Sequence, residues 1–435
     1  MQKCTKFMHT GALTMAAEAG FSFLMEKADI LIAGAALNGL AAAVALAGPR
    51  ALRPLDILIL DQADPTKFAR DSFDGRASAI TASSRRMLEA LGTWDEIAAH
   101  AEPMRDIIVT DSKPGAAARP ALLHFGEDDH DGEASAYMVE NRHLYGALLD
   151  AALASPTIRL ETQARIASYG FGPGLARIAT TAGDEAKGSL LIAADGRASP
   201  ARKAAGIQTY GWSYDQSGIV TTVRHERAHG GRAEEHFLPS GPFAILPLTH
   251  NRSSLVWTER SDDAKRIMAL DDAQFLAELS ARFGGHLGEL SIAGPRHVYP
   301  LAMQIAQSFI ADRLALIGDA AHVIHPIAGL GFNLGLRDVA ALAECVSEAV
   351  KLGLDPGASG VLETYARWRR FDTVMTAVAT DGLTRLFSND NPALRALRDI
   401  GLRTAGSLGA LKGFFMREAA GETGRLPKLL QGEAV

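Results

Sequence analysis

The first long hydrophobic pattern in the chain is an uncharged run over residues 30–48, which is nearly long enough to span a membrane. Its two halves differ in character. The aliphatic segment "ILIAG" is typical of a buried strand and "LAAAVALA" favours a helix, with Gly34, Asn38 and Gly39 at the turn. A second aliphatic run, "LDILILDQAD" over residues 55–64, predicts the next strand. We therefore interpret this part of the chain as a strand–turn–helix–strand unit and not as a membrane span.

The turn of this unit carries the residue types of a dinucleotide-binding site. Glycines at positions 34 and 39 permit backbone torsions that other residues avoid, and the helix that follows directs its positive N-terminal end at a pyrophosphate. Asp61 follows the second strand, 22 positions after Gly39, where a carboxylate accepts hydrogen bonds from ribose hydroxyls. The middle glycine of the G-x-G-x-x-G pattern is replaced by Ala36, whose methyl group must be tolerated beside the phosphate.

A second candidate corner lies in residues 188–202, "GSLLIAADGRASPAR". An apolar strand breaks there at Asp195 and Gly196 and two arginines follow, so a carboxylate and a turn meet at one point. A simple Asp-Gly turn at the end of a strand is the alternative interpretation, which the segment alone leaves open.

A third corner lies in residues 313–344, where the strand "LALIGD" ends in Asp319 and the loop "HPIAGLGFN" leads into the helix "LGLRDVAALAE". Asp319 suits a ribityl or pyrophosphate-linked hydroxyl. The helix opening near Gly331 and Asn333 presents backbone N–H groups and a positive dipole to an electron-rich ring. His322 and His325 flank the start of the loop without an acidic or cysteine partner, so we expect structural histidines and no metal site.

Composition and charge narrow the class of protein. A chain of 435 residues with 47% hydrophobic and 22% charged residues is long enough for two or three globular domains. A net charge of -6 and a pI near 6.1 disfavour a nucleic-acid binder. Cys4 and Cys345 form neither a disulfide framework nor a zinc motif, which indicates a reducing, cytoplasmic setting. Residues 1–26 make a poor secretory signal, and we expect this segment to be disordered or misassigned, with Met25 as the true start.

The three corners, in this order and at this separation, resemble the class A flavin-dependent monooxygenases, which are aromatic hydroxylases with one FAD-binding domain. Four further stretches narrow the resemblance to the branch that hydroxylates ubiquinone-precursor rings, and it extends over residues 27–421. These stretches are "DGRASAITASSRRMLEALGTWDEI" (74–97), "YMVENRHLYGALLDAA" (137–152), "HPIAGLGFNLGLRDVAALAE" (325–344) and "YARWRRFDTVMTAVATDGLTRLFS" (365–388).

The resemblance implies which residues contact the cofactor. Arg76 inherits a contact to the FAD phosphates, and Glu140 and Arg142 lie where a helix start approaches the cofactor. Asp195 and Gly196 match the Asp-Gly motif that serves FAD and transient NAD(P)H binding. The second FAD motif is matched by Gly318, Asp319, Pro326, Gly329, Gly331 and Asn333. Taken without the resemblance, Arg76 and Arg142 fit surface salt bridges.

Three positions depart from the family pattern. Ala36 replaces the usual middle glycine, which puts FAD affinity in doubt. Leu330 stands where the branch usually has glutamine between two glycines, so an aliphatic side chain replaces an amide donor beside the flavin and affects the choice of substrate. Asp61 is one methylene shorter than the usual glutamate.

The implied fold class is α/β, a Rossmann-like FAD-binding domain with an inserted antiparallel-sheet substrate domain and C-terminal helices. The predicted division is 27–97, 138–206 and 296–352 for the discontinuous FAD-binding domain, 98–137 and 207–295 for the substrate domain and 353–435 for the helical region. Strands are predicted for "RDIIVTDS", "ALLHFG", "SGIVTTVRHE", "EEHFLPSGPFAILPL" and "RSSLVWTE". Residues 237–248 either line an apolar tunnel for a prenyl tail or form a strand pair in the core.

The implied activity is hydroxylation of the aromatic ring of a prenylated phenol or quinol, a ubiquinone precursor. FAD is the cofactor, NAD(P)H and O2 are co-substrates, and a flavin hydroperoxide is the oxidant. A base near the substrate phenol is expected, and His325 is the candidate. Two alternatives are a related flavoprotein oxidoreductase that acts on a lipid without oxygen insertion, and a non-catalytic scaffold of a quinone-biosynthesis complex.

The C-terminal part of the chain suggests a membrane partner. Between positions 364 and 428 there are 11 Lys and Arg against 6 Asp and Glu, a local charge of +5, beside the apolar segment "LGALKGFF". This composition favours peripheral docking to anionic lipid on the inner face of the membrane. A solvated basic surface, or a contact to other quinone-biosynthesis proteins, is the alternative.

Overall fold

A computed structural model describes residues 26–48, 54–69, 73–115, 119, 121–126, 134–172, 174–325, 329, 331–387, 421 and 424–435. The expectations for residues 1–25, for Pro326 and Leu330 and for the segment "LGALKGFF" lie outside these described residues.

The elements follow one another in an alternating order. The strands are β1 Glu26–Ala33, β2 Ile57–Leu60, β3 Ala77–Thr81, β4 Ala101–Met104, β5 Asp106–Asp111, β6 Ala121–Phe125, β7 Ala136–Glu140, β8 Ile158–Glu161, β9 Ile166–Gly172, β10 Leu175–Thr180, β11 Glu185–Ala193, β12 Thr209–His225, β13 Arg232–Leu238, β14 Gly241–Leu248, β15 Arg252–Arg260, β16 Leu290–Ile292, β17 His297–Ala306, β18 Ile310–Ala311, β19 Leu314–Leu316 and β20 His322–Val323. The helices are α1 Leu37–Leu46, α2 Ala82–Ala90, α3 Trp94–Ala98, α4 Asn141–Ala154, α5 Pro200–Ala204, α6 Ser261–Met268, α7 Asp272–Phe283, α8 Gly331–Lys351 and α9 Ser359–Phe387. Short 3₁₀ turns span Pro65–Phe68, Gly318–Ala320 and Lys428–Gln431.

The first sheet has a parallel centre. Its strands run in the order β18-β19-β11-β1-β2-β8, with β10 and β9 added antiparallel beside β11. The four central strands β19, β11, β1 and β2 are parallel and end in register, with Ala33 opposite both Ala193 and Leu60, and Ala193 opposite Leu316. Their continuous aliphatic runs are buried, as expected for strands covered on both faces. Helices α1 and α8 pack against each other beside this sheet.

The second sheet is mainly antiparallel, with the order β20-β17-β12-β15-β14-β13-β5-β6 and β16 beside β12. One face is covered by α6 and α7, which pack Phe275 and Leu279 against Trp257 and Leu255. The opposite face packs through alanine, methionine and leucine side chains against a third sheet with the order β3-β7-β4.

The α/β fold class predicted from the sequence is confirmed, and the five stretches predicted as strands form β5, β6 and β12 to β15. Residues 237–248 form the β13–β14 strand pair, and β14 is buried along its whole length. Two segments within the predicted FAD-binding range lie in the second sheet: His297–Ala306 pairs with β12, and His322–Val323 pairs with His297–Ala306. The backbone ladders determine these places, and the hydrophobic patterns of the two segments do not reveal their partners.

Candidate cofactor site

The turn between β1 and α1 requires glycine at two positions. Gly34 has φ +104°, and a Cβ there would lie 2.5 Å from the carbonyl oxygen of Ala194. A Cβ on Gly39 would lie 1.9 Å from the carbonyl oxygen of Gly34. The first glycine therefore supplies a left-handed conformation and the second a close approach between helix and turn.

Ala36 adopts a conformation that any residue tolerates. Its φ of -75° and ψ of 179° are extended, it is exposed, and it caps α1 without a side-chain hydrogen bond. The first turn of α1 contains no acidic residue, so the first N–H groups of the helix meet no side-chain anion from that turn. This helix start therefore fits an anion such as a pyrophosphate, and alanine at position 36 does not distort it.

Asp61 closes this turn from the end of β2. Its two carboxylate oxygens accept hydrogen bonds from the backbone N–H groups of Ala35, at 2.6 Å, and Ala63, at 2.7 Å. On the other side of the turn, the Tyr145 hydroxyl of α4 donates to the carbonyl oxygen of Ala35. Burial raises the pKa of Tyr145, and the negative charge of Asp61 raises it further, so the phenol remains a proton donor. Tyr145 was not predicted, because no local pattern links α4 to the turn.

The second corner lies directly beside the first, since a Cβ on Gly34 would also lie 3.2 Å from the backbone nitrogen of Asp195. The Asp195 carboxylate accepts a hydrogen bond from the N–H of Ala201 at 2.9 Å, at the start of α5. Burial raises the pKa of this carboxyl group despite that hydrogen bond. Gly196 has φ +82° and faces open space.

The third corner is tied to both others. A Cβ on Gly318 would lie 2.2 Å from the Asn38 amide nitrogen of α1, and a Cβ on Gly335 would lie 2.4 Å from the same atom. Arg202 follows the second corner, is buried, and donates to the carbonyl oxygen of Ala320 at 2.7 Å. The structure thus brings all three corners together at the carboxyl ends of adjacent parallel strands. The packing role of Asn38 was missed because its glycine partners lie about 280 residues further along the chain.

Asp319 lies at this edge in a concave position. Its side chain is exposed to solvent, yet the protein that surrounds it raises the pKa of the carboxyl group. His322 and Arg197 oppose the rise through their charge. A side chain that is exposed to solvent and also surrounded by protein lines an accessible crevice. Such a position fits a carboxylate that binds a ligand.

The start of α8 holds the neighbouring loop in place. The Asn333 side chain accepts a hydrogen bond from the N–H of Thr81 at 3.0 Å and donates to the carbonyl oxygen of Ala79 at 2.6 Å. Gly329 has φ +64°, and Gly331 begins the helix with open space beside its Cα. Because the amide of Asn333 is engaged with β3, only the backbone of this helix start is left to meet a ring.

Glu140 forms the centre of a buried charge cluster at the β7–α4 junction. Its carboxylate accepts hydrogen bonds from Arg142, at 2.8 Å, and Arg252, at 2.5 Å, and both guanidinium groups lie near the ring of Phe73. Burial raises the pKa of Glu140, but His143 and the two arginines outweigh burial and lower it to about 2. Glu140 is therefore a fixed anion that orients two cations.

Arg76 lies next to this cluster but has its own partner. The N–H of Asn141 donates to its carbonyl oxygen at 3.0 Å, and its guanidinium pairs with Asp74 at 2.6 Å. The side chain is 46% exposed. Arg76 forms the surface salt bridge that its residue type alone allows, and an exposed pair of this kind exchanges partners at little cost. Arg142 instead pairs with the buried carboxylate of Glu140.

The two histidines of the third corner differ. The His322 ring lies 2.5 Å from the Asp338 carboxylate, which also accepts hydrogen bonds from the N–H of Gly318 and from Arg369. This network joins α9 to the third corner and gives His322 an acidic partner, Asp338, that the local sequence pattern does not show. His325 is buried 5.2 Å from the Tyr214 ring, and neither ring nitrogen has a hydrogen-bond partner among the described residues. Burial lowers the pKa of His325 to about 4.

Taken together, the tight glycine turn, the starts of α1 and α8 and the three carboxylates fit a dinucleotide cofactor across the strand ends. The described residues contain no cluster of three or more His, Cys, Asp or Glu side chains able to hold a metal ion.

Comparison with known proteins identifies the family. The FAD binding domain model matches residues 27–379. A ubiquinone hydroxylase of Rhodospirillum rubrum is 42% identical over 411 residues, covering 94% of this chain and 93% of that protein. The 3-demethoxyubiquinol 3-hydroxylase of Escherichia coli is 33% identical, covering 91% and 99%. The structure of p-nitrophenol 4-monooxygenase from Pseudomonas putida DLL-E4 matches the fold with a TM-score of 0.75 at 19% identity, covering 92% and 100%. The chain therefore belongs to the FAD-binding domain family and, within it, to the FAD-dependent monooxygenases of the ubiquinone-biosynthesis branch.

Proposed function

We propose that this monooxygenase hydroxylates the aromatic ring of a prenylated ubiquinone precursor, with NAD(P)H and O2 as co-substrates. The observation that carries the proposal is the meeting of three glycine–carboxylate corners at one sheet edge in a chain 42% identical to a ubiquinone hydroxylase. Bound FAD supplies the redox chemistry: it takes electrons from NAD(P)H and activates O2. The protein binds, orients and shields the reactants.

Each corner has its own part in holding the cofactor in this proposal. The turn at Gly34, Ala36 and Gly39 receives the pyrophosphate at the start of α1, and Asp61 accepts hydrogen bonds from the ribose. The remaining contacts belong to Arg76, Glu140, Arg142, Asp195, Gly196, Gly318, Asp319, Pro326, Gly329, Gly331 and Asn333. Within this set, the fixed charge of Glu140 supports the proposal indirectly, because it holds Arg142 in one orientation.

The arrangement of the sheets suggests which part of the protein binds the cofactor and which part binds the substrate. We assign cofactor binding to the mainly parallel first sheet with α1 and α8, and substrate binding to the second sheet, including β17. The third sheet, β3-β7-β4, packs between them, since β3 bonds to Asn333 and β7 contacts β14. A substrate ring between the second sheet and the start of α8 would be shielded from water.

Two measurements test the activity. Protein reconstituted with FAD is expected to incorporate labelled O2 into a prenylated phenol. Oxidised product without label would favour the oxidoreductase alternative, and absence of bound flavin would favour the scaffold. Deletion of the gene is expected to cause accumulation of a precursor with one ring position bare, which mass spectrometry identifies. A matched pair of variants, Gly39→Ala and Gly360→Ala, separates the cofactor turn from a helix position with open space around it.

We also propose that one face of α9 meets anionic membrane. Phe371, Val374, Met375 and Val378 lie at helical i, i+3, i+4, i+7 spacing and are 71%, 37%, 52% and 61% exposed. Arg367 is exposed one turn before Phe371, and a cation beside an apolar stripe suits anionic headgroups. In the part of the chain that the structure describes, no helix is long and apolar enough to cross a membrane.

Flotation with anionic liposomes tests this surface. We expect the protein to float at low salt, and the double variant Phe371→Ser/Met375→Ser to remain at the bottom of the gradient. Leu352→Ser is the matched control, because Leu352 is 75% exposed outside the stripe. Equal flotation of all three proteins, or no flotation of the unaltered chain, would remove the proposal.

A further inference from the structure

One carboxyl group of the second sheet has no role in the cofactor site. Glu235 lies on β13 with Val109 of β5 on one side and Ala244 of β14 on the other. Because directly paired residues share a face of the sheet, the Glu235 side chain projects on the same face as Ala233 and Ala244. Its neighbour Glu234 projects on the opposite face, the one covered by α6 and α7.

The face that bears Glu235 carries an apolar cluster. Ala233 and Ala244 belong to it together with Ala79 and Ala136 of the third sheet, and Met104, Met138, Leu246 and Leu248 complete it. Glu235 itself keeps some accessible surface although protein surrounds it, which places its carboxyl group at the wall of an internal cleft.

This cleft reaches the start of α8. Ala79 contributes its side chain to the apolar cluster, while its carbonyl oxygen accepts the hydrogen bond from Asn333. A Cβ on Gly329 would lie 3.4 Å from the Cβ of Ala79. One strand residue therefore separates the loop before α8 from the surface that carries Glu235.

Burial alone raises the pKa of Glu235, to about 8. The ionisable groups on the described elements around this face include Asp111 on β5, Glu102 on β4, His297 on β17, Arg252 on β15, Glu140 on β7 and Asp381 on α9. None of these six groups is a cause of the shift. Arg252 is bonded to Glu140, and Asp381 accepts hydrogen bonds from Trp212 and Tyr214. Among the described residues, Glu235 therefore lies in mainly apolar surroundings, and burial by itself accounts for its raised pKa.

We propose that Glu235 is a catalytic residue that receives the proton of the substrate phenol during ring hydroxylation. The inference rests on the proposed function, which places the ring in this cleft. As a π electron pair of the ring forms the new C–O bond, the phenolic O–H bond breaks. Its proton passes to the Glu235 carboxylate and its electron pair forms a C=O bond. Loss of the ring C–H proton to water then restores aromaticity, and Glu235 returns its proton to the carbonyl oxygen. NAD(P)H supplies two electrons and O2 supplies the oxygen atom, while the O–O bond breaks and the second oxygen atom leaves as water.

The first test compares the rate of ring hydroxylation as a function of pH in the FAD-loaded protein and its Glu235→Gln variant. In the unaltered protein we expect the rate to rise through pH about 8, as the carboxyl group ionises. In Glu235→Gln we expect a loss of about 100-fold and no such rise, with flavin absorbance unchanged. Glu235→Asp is expected to recover part of the rate and the pH dependence.

A second readout needs no turnover. Binding of p-nitrophenol, whose phenolate is coloured, is expected to produce phenolate absorbance with the unaltered protein and with Glu234→Gln, and not with Glu235→Gln. The proposal is overturned if Glu235→Gln keeps the wild-type pH profile, or if it ionises the bound phenol as the unaltered protein does. Failure of the proposed function would instead appear as unlabelled product in the labelled-O2 assay.

Discussion

Two regions that face the same cleft hold buried glutamates in opposite states. At the β7–α4 junction, Glu140 bonds to two arginines and its pKa falls to about 2. On β13, Glu235 meets alanines and aliphatic side chains, and its pKa rises to about 8. Burial penalises the charged form at both positions, so the difference lies in the partners.

This difference separates a structural carboxylate from a reactive one. Glu140 remains ionised throughout the physiological range and holds Arg142 and Arg252 in place. Glu235 exchanges a proton near neutral pH, which is what a general acid or base requires. The cluster around Glu140 is therefore expected to stabilise the fold. The unpaired Glu235 is expected to destabilise it, as residues that serve activity often do.

The largest effect is expected where a paired carboxylate is most deeply enclosed, at Asp338. Its carboxylate is fully buried and accepts hydrogen bonds from Gly318, His322 and Arg369. Asp338→Asn leaves the Arg369 charge without this counter-ion, so we expect the free energy of unfolding to fall by about 3–5 kcal/mol. Urea denaturation followed by circular dichroism measures the change.

Asp355→Asn is the matched control for Asp338→Asn. Asp355 pairs with Arg313 and is 41% exposed, so its loss is expected to cost about 1 kcal/mol or less. Equal decreases in the free energy of unfolding of the two variants would show that burial does not determine how much these ion pairs stabilise the protein.

Glu140→Gln is expected to cost about 3 kcal/mol at neutral pH, from a pKa lowered from 4.5 to about 2. Because the folded-state pKa is depressed, this contribution is present above pH 4.5 and disappears as the pH falls towards 2. Urea midpoints of the unaltered and variant proteins should therefore converge at acid pH. A constant difference across this range would mean that lost packing, and not lost charge, explains the variant.

The sequence predicts the first region of the cofactor site well because its signals are local. Gly34 and Gly39 lie within one turn, and the strands that end there are continuous aliphatic runs, as buried parallel strands must be. At Ala36 the structure shows extended torsions and exposure, which alanine tolerates, and the effect of this residue on FAD affinity stays a prediction. The geometry of this turn depends on residues that are close together in the sequence, so a local pattern predicts it.

The contacts that set the charge states and orientations of the site residues join positions far apart in the sequence. Arg252 reaches Glu140 across 112 positions, and Tyr145 reaches Ala35 across 110. Glu235 lies in an ordinary strand pattern, and only the packing of two sheets shows that no described residue forms a hydrogen bond or ion pair with its side chain. The same limit explains β17, whose partner in the ladder depends on the arrangement of the whole second sheet. Side-chain environment depends on tertiary packing, which one sequence pattern does not encode.

The smallest expected effect is that of Glu235→Gln, which is expected to stabilise the protein where the other substitutions destabilise it. At neutral pH the unfolded chain ionises Glu235, whereas the folded chain must bind a proton there, because its pKa is raised from 4.5 to about 8. The contribution of Glu235 to the free energy of unfolding is therefore fully present below pH 4.5 and is lost as the pH rises towards 8. Glu235→Gln is expected to raise the free energy of unfolding by about 1–3 kcal/mol at neutral pH. The same substitution is expected to have no such effect at pH 4.5 or below. Thermal unfolding at both pH values measures this gain. Glu234→Gln, one residue away on the paired face, is expected to lose stability, because His236 and His286 hold the pKa of Glu234 at about 2 against burial. A loss of stability in both variants would mean that Glu235 has a counter-charge after all, and the contrast between the two regions would then fail.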